Sequence, residues 1–428
     1  MIKKIIVVII TLFISASSFS QINNTSVYSF FGIGDKNNSA TSEQLSMAGV
    51  GVALGESHRI NLSNPAANAA LQFTNYTLGL VSKNSWAKQN GETQSAAATY
   101  LSYMAMGFNV GEKGGVSFGL LPNTSVGYNL LSINYDDDGN ILDVSSFKGE
   151  GGTSRVFLGF GYSPVKGLNL GLQGDYVFGK ITNSIVNKVV DATLATKYET
   201  ISNISGFKLN AGFQYTTKIS DFTQVYAGGS FILGNDIEAK EKEYLYTVNP
   251  LSTSIAKDTI LNNTNFSNFK NPLKSTVGVG VGRDNKWYAG VDYSFQKAAE
   301  FRGSIYNSPN VQFSDYSKFA VGGFYTPKYN SILSYWNRVT YRAGFYMENS
   351  GLMIDGEKNG NNFEEVNNIG ISFGVGLPVG KQQLSNLNFG FEFGKRGKTE
   401  SNLVQENFIN FRMSLSLNDK WFQKRQIN

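Results

Sequence analysis

The side chains that most often do chemistry are scarce in this chain. Its 428 residues include no cysteine and a single histidine. Without thiols there is no disulfide framework, no cysteine-ligated zinc, no thiol nucleophile and no acylated N-terminal cysteine. A serine hydrolase would need His58 beside a serine and a carboxylate. His58 lies in an N-terminal stretch just before Asn64–Pro65, where a local polar contact is the simpler role. Asp136–Asp137–Asp138–Gly139–Asn140 offers oxygens of the kind calcium takes, but no glutamate follows at calcium-loop spacing, and Asp-Gly-Asn makes a turn unaided. Gly49-x-Gly51 lacks the preceding strand, third glycine and acidic partner of a dinucleotide loop. Lys395, Arg396, Lys398, Lys424 and Arg425 are too dispersed to read nucleic acid. The expectation is a protein that is not an enzyme, with no cofactor, no metal and no nucleic-acid partner.

The remaining chemistry lies in charges, glycines and aromatics, and a period of two places them. Phe207, Leu209, Ala211, Phe213 and Tyr215 alternate with Lys208, Asn210, Gly212, Gln214 and Thr216. Ile409, Phe411, Met413, Leu415 and Leu417 alternate with Asn410, Arg412, Ser414 and Ser416. Successive strand side chains face opposite ways, so each segment has one apolar and one polar or glycine face. A soluble sandwich gives the same pattern over strands of ~5–6 residues. Here the segments run near ten residues or more, which suits tilted strands crossing a membrane.

The chain opens with Lys3 and Lys4, an apolar run Ile5–Ile14, and small polar residues to Ser20. That is the make-up of a secretory signal peptide, expected over residues 1–20. Fourteen strands are expected between 73 and 418: an all-β, transmembrane antiparallel β-barrel. A plug segment at 21–72 precedes it and a periplasmic tail at 419–428 follows. Short connections fall near 111–113, 163–168, 218–221, 282–286, 327–336 and 378–385. Long polar ones fall at 133–150, 184–202, 236–271, 298–316, 349–366 and 395–406. An outer-membrane barrel with that pattern has both termini periplasmic and its long loops extracellular. The longest, 236–271, is the first candidate for a lid or partner contact. Trp86, Trp287, Trp336 and Trp421 fall at strand ends, where an aromatic girdle lies. The register turns Asp175, Lys208, Asp292, Arg342, Glu392 and Arg412 into the lumen, three acids and three bases. They form either a stabilising network or a polar path for solute. Gly278, Gly280 and Gly282 share one strand face and leave room for a neighbouring side chain or a plug.

Residues 21–72 do not alternate. Met47–Ala48–Gly49–Val50–Gly51–Val52–Ala53, then Ile60–Asn61 and Asn64–Pro65–Ala66, resemble the N-terminal signature of the FadL-type long-chain fatty acid transporters. Tyr28–Ser29–Phe30–Phe31–Gly32–Ile33–Gly34–Asp35 and Trp421–Phe422–Gln423–Lys424–Arg425 resemble the Bacteroidota branch of that family. The resemblance implies a fourteen-stranded barrel with an inward-folded hatch built on Gly49, Gly51, Asn61, Asn64, Pro65 and Ala66. It also implies passive uptake of hydrophobic small molecules such as fatty acids. One departure stands out: no matched set of apolar-pocket and carboxylate-binding residues is found. The branch also resembles barrels that serve as accessory subunits in type IX secretion or barrel assembly. Partners are accordingly outer-membrane lipid and either a hydrophobic ligand or other envelope proteins. Uptake calls for an apolar cavity beside 41–72 and a wall opening or strand kink. An accessory role calls for a blocked lumen, and interlocked wall charges would count against uptake.

Overall fold

The computed structural model describes residues 24–250, 252–298, 300–301, 310–357, 360–379 and 385–419. The expected signal peptide at 1–20, and residues 420–428 with Trp421, lie outside them. A single antiparallel sheet of fourteen wall strands closes on itself. The strands are β1 Thr74–Gln89, β2 Glu92–Val110, β3 Gly114–Tyr135, β4 Ile141–Val165, β5 Leu168–Val189 and β6 Ala195–Lys218. Next come four interrupted strands. β7 is Gln224–Ile232 then Asn235–Asn249, β8 Ser252–Asn271 then Lys274–Arg283, β9 Trp287–Gln296 then Glu300–Phe301, and β10 Val311–Phe313 then Tyr316–Tyr325. β11 Thr340–Ile354, β12 Glu364–Val379, β13 Ser385–Arg396 and β14 Gln405–Asp419 complete the wall. β14 pairs with β1, from Gln405 opposite Lys88 to Asp419 opposite Thr74, so no edge is left open.

The alternation in the sequence is the alternation of the wall. On β6, Phe207 is 74% exposed and Leu209, Phe213 and Tyr215 also face out, while Asn210 and Gln214 are buried. On β14, Ile409 and Leu417 face out, while Asn410, Arg412, Ser414 and Ser416 are buried. An apolar exterior around a polar interior inverts a soluble protein, and lipid hydrocarbon is the medium that suits it.

The strands outrun the expectation at one end. β4 has 25 residues and β6 has 24, where ~9–11 are enough to cross a bilayer. Much of 133–150, 184–202 and 236–271 is therefore strand and not loop. The 236–271 stretch, the first candidate for a lid or partner contact, is a paired hairpin from Asn235 opposite Asn271 to Asn249 opposite Ser252. Its alternation is polar, which disguised it: Ile237, Ala239, Glu241 and Glu243 are buried, while Glu238, Lys240 and Lys242 are exposed.

The interruptions in β7 to β10 line up. Ile232 pairs with Lys274, Lys274 with Gln296, and Gln296 with Tyr316. Each is the last paired residue below its break. Pro272, which has no N–H to give the ladder, lies in the β8 break.

Residues 24–73 run inside this wall. Asn24 lies beside Ser125, donating from Nδ2 to its carbonyl at 2.9 Å, and the two-residue strand Asp35–Lys36 pairs with Ser125 and Thr124 of β3. Val27 N donates to Glu406 at the long-hairpin end of β14. The segment then descends to Thr74 at the short-turn end. The described part of the inner segment thus starts nearer the long-hairpin end, and the two ends of the barrel, Thr74 and Asp419, share the short-turn rim.

Candidate functional site

The lumen and its contents are the candidate site. The inner segment lies against the wall because the wall lacks Cβ atoms where they meet. A Cβ on Gly212 would fall 2.0 Å from Asn64 Oδ1, one on Gly171 2.3 Å from Ala66 N, and one on Gly115 1.9 Å from Asn68 O. Across the lumen, a Cβ on Gly322 would fall 2.3 Å from Met47 O, and one on Gly374 2.3 Å from Ser46 Oγ. All are far inside van der Waals contact, so glycine is required by close approach. Gly278 belongs to the same belt, with Val52 Cγ1 2.6 Å from its missing Cβ. Gly280 and Gly282 instead make room for Tyr288 and the Trp287 carbonyl.

The Asn-Pro-Ala element has a definite local physics. Asn64 caps the 3-10 turn Pro65–Ala70 by accepting from Ala66 N at 3.0 Å, and Pro65 occupies the first helical position, where no N–H is needed. Asn64 Nδ2 meanwhile faces three carbonyls: Val52 at 2.8 Å, Phe213 at 3.0 Å and Gly229 at 3.2 Å. One side chain thus caps a helical turn and ties the segment to β6 and β7. Asn61 works within the segment, donating to Gly51 O at 2.7 Å and Leu54 O at 2.8 Å while accepting from Gln44 Nε2 at 2.9 Å. Gly51 has φ +150° and Gly49 φ +90°, at the sharp path that follows the short helix α1, Ser42–Leu45.

Of the six lumen charges singled out in the sequence, Asp292 meets the segment directly. Its Oδ2 accepts from Gly51 N at 2.9 Å and Val52 N at 3.0 Å. Glu392 and Arg412 form an ion pair, and Tyr346 OH at 2.6 Å and Asn410 Nδ2 at 3.0 Å also donate to Glu392. Asp175 is opposite Lys208 in the ladder. Its ion pair is with Arg155, while Lys208 Nζ donates to Asn123 Oδ1 at 3.0 Å. Arg342 donates to Asn388 Oδ1 at 3.3 Å.

Sequence reasoning missed the contacts that join distant parts of the chain. Buried Glu43 accepts from Asn388 Nδ2 at 2.8 Å and Ser416 Oγ at 2.9 Å, and Ala48 N donates to Ser372 Oγ at 2.8 Å. Near the long-hairpin end, Arg396 pairs with Asp35 at 2.8 Å and lies over the Tyr28 ring at 4.9 Å. Burial opposes ionisation of Asp35, yet Arg396 holds its carboxyl below the usual range. Above the polar layer, Phe30 and Ile33 pack against Val126, Tyr128, Ile181 and Phe269, adding an apolar seal.

Cavities remain among the described residues. One of about 230 Å³ is lined by Asp35, Lys83, Glu392, Arg396, Glu406 and Arg412 among others. One of about 140 Å³ lies beside 41–72, where Leu45, Ala48, Ile232 and Ala320 line it together with Lys36, Lys274, Asp292, Lys318 and Glu348. Its lining is thus mixed, where a wholly apolar chamber was expected. His58 is buried in the segment, its carbonyl accepting from Asn75 Nδ2 at 3.1 Å. The Asp136 carboxylate is committed to its own turn, accepting from Asp138 N at 3.0 Å and Asn140 N at 2.7 Å. Among the described residues no cluster of three metal-ligating side chains occurs.

Solved structures share this architecture at low identity. A Pseudomonas aeruginosa FadL homologue is 10% identical over 90% of this chain and 99% of its own, with a TM-score of 0.58. The Ralstonia pickettii toluene transporter TbuX is 14% identical over 89% of this chain and 98% of its own, at 0.56. The P. putida toluene transporter TodX is 16% identical over 89% and 99%, at 0.55. They establish the shared fold. No curated protein matches the chain in sequence. A family model described as BamG matches residues 1–428.

Proposed function

The chain belongs to the BamG family, and on that premise we propose that it is an outer-membrane barrel acting as a non-transporting accessory subunit of an envelope complex for protein secretion or assembly. The observation that carries this reading is the filled lumen. The inner segment is seated on a belt of glycines and tied to wall strands on several sides. The remaining space has a mixed lining, in which charged groups, several of them paired, stand among apolar side chains. Charges placed in this way interrupt a continuous apolar path for a hydrocarbon. The exposed surface, with its long outer hairpins, is then what the barrel has to offer a partner.

The test is isolation of the tagged protein from native outer membranes in mild detergent, with mass spectrometry of what accompanies it. Envelope proteins in stoichiometric amounts are the expected result. A barrel that comes alone and carries a fatty acid or hydrocarbon would overturn the proposal.

Passive uptake of hydrophobic small molecules is the second reading. Two observations favour it: the fold shared with toluene transporters, and the aligned breaks in β7 to β10. Faster entry of radiolabelled oleate or toluene into cells producing the protein, compared with a deletion strain, would support it.

A further inference from the structure

At the short-turn end most connections are tight, but that between β10 and β11 spans the fourteen residues 326–339 and carries the most exposed large apolar pair among the described residues. Ile332 is 95% exposed and Leu333 100%. The loop is nevertheless ordered. Thr326 and Thr340 hydroxyls meet at 2.9 Å across its neck, Lys328 N donates to Asn337 O at 2.7 Å, and Ser334 N donates to Ser331 Oγ at 3.2 Å. Tyr335 OH donates to Pro378 O at 3.2 Å, Arg338 lies over the Tyr335 ring at 5.2 Å, and Tyr335 packs edge-on against Trp336.

The loop is continuous with the outward aromatic belt. Tyr341 faces out from β11 and its OH donates to Trp336 O at 3.5 Å. In register, Tyr341 pairs with Tyr325, and Tyr325 with Trp287. The apolar tip Ile332–Leu333 is flanked by exposed Tyr335, Trp336 and Lys328, while Arg338 turns inward to the pocket lined by Glu56, His58 and Arg59. Apolar side chains beside interfacial aromatics and a lysine suit the hydrocarbon, interface and headgroup levels of a phospholipid leaflet.

We propose that the loop 326–339 is a membrane-interface anchor that inserts Ile332 and Leu333 into the leaflet at the short-turn end, with Lys328 at the phosphate level. The occupant of the exposed tip is phospholipid. A bare turn would let the barrel tilt freely beside β10 to β12, whereas an inserted loop fixes that side of the wall at a set depth.

The chain has no cysteine, so single labels can be placed cleanly. Nitroxide is attached to Leu333→Cys, and to Lys166→Cys on a tight turn of the same rim, in protein refolded into phosphatidylethanolamine–phosphatidylglycerol vesicles. Retained heat-modifiable mobility on gels checks the fold. At position 333 the label should be several-fold more accessible to oxygen than to a nickel chelate, and at position 166 the order should reverse. Equal nickel access at both positions would overturn the proposal. So would protection at 333 that appears only in native membranes, which would assign the tip to a protein partner.

Discussion

Asn64 shows how one side chain can do two jobs that fail separately. Its oxygen caps a helical turn and its amide serves carbonyls of the segment and of two wall strands. Asn64→Ala should cost the seated segment roughly 2–4 kcal/mol, from a lost cap and buried carbonyls left without donors. Asn64→Asp keeps the cap and loses the donors, so most of the loss should persist. Hydrogen exchange of residues 24–73 is the readout, and a silent Asn64→Asp would show that the wall contacts matter little. His58 makes the segment sensitive to acid. Burial, reinforced by Arg59, lowers its imidazole to about 4 from an ordinary 6.5, with Glu56 opposing and Arg342 adding. A released segment therefore binds more protons than the seated one between those values. Seating is fully stabilised above pH 6.5 and weakens as pH falls toward 4, by up to about 3 kcal/mol at one pKa step per 1.36 kcal/mol. Exchange rates over that range should rise in the wild type and flatten in His58→Gln.

The glycine belt belongs to the scale of the strand, and one strand supplies its own control. Both Gly171 and Gly174 lie on β5. An added methyl at Gly171 strikes the Ala66 amide, whereas at Gly174 it meets nothing within 4 Å. Gly171→Ala should loosen the segment by about 1–3 kcal/mol, and Gly174→Ala should be silent in the same exchange measurement. Equal effects would mean that the belt is strand propensity and not accommodation. The strand count was legible because lipid demands strict alternation on one face. Strand ends were not, since beyond the bilayer that demand lapses and the polar alternation of Glu238–Glu243 reads as no more than a solvated strand extension at the base of a long loop. Asn64–Pro65–Ala66 stood out in the sequence, but the place where it sits did not. Gly115, Gly171, Gly212, Gly322 and Gly374 are scattered over five strands and meet only when the barrel closes. The same holds for Asp35 with Arg396, which lie 361 positions apart.

For the whole molecule, the prediction concerns ion passage. Purified barrels in planar bilayers should show no steady open-channel conductance, because the segment and its apolar seal around Phe30 and Ile33 close the lumen. Removing Arg412 alone strands Glu392 in a buried site and should cost about 3–5 kcal/mol. Arg412→Met combined with Glu392→Gln should recover much of that stability, read as the temperature at which heat-modifiable mobility is lost. Full additivity of the two changes would deny that they are coupled.

The seam between β1 and β14 also sets an order of events during biogenesis. The inner segment is the part of the described chain made first, yet the glycines that seat it belong to strands made later, and Thr74 meets Asp419 only when the last strand exists. A segment that traverses the lumen from the long-hairpin end to the rim cannot easily be threaded into a finished cylinder. It is gathered against a curved, still open sheet, and the final strand then zips shut over its occupant.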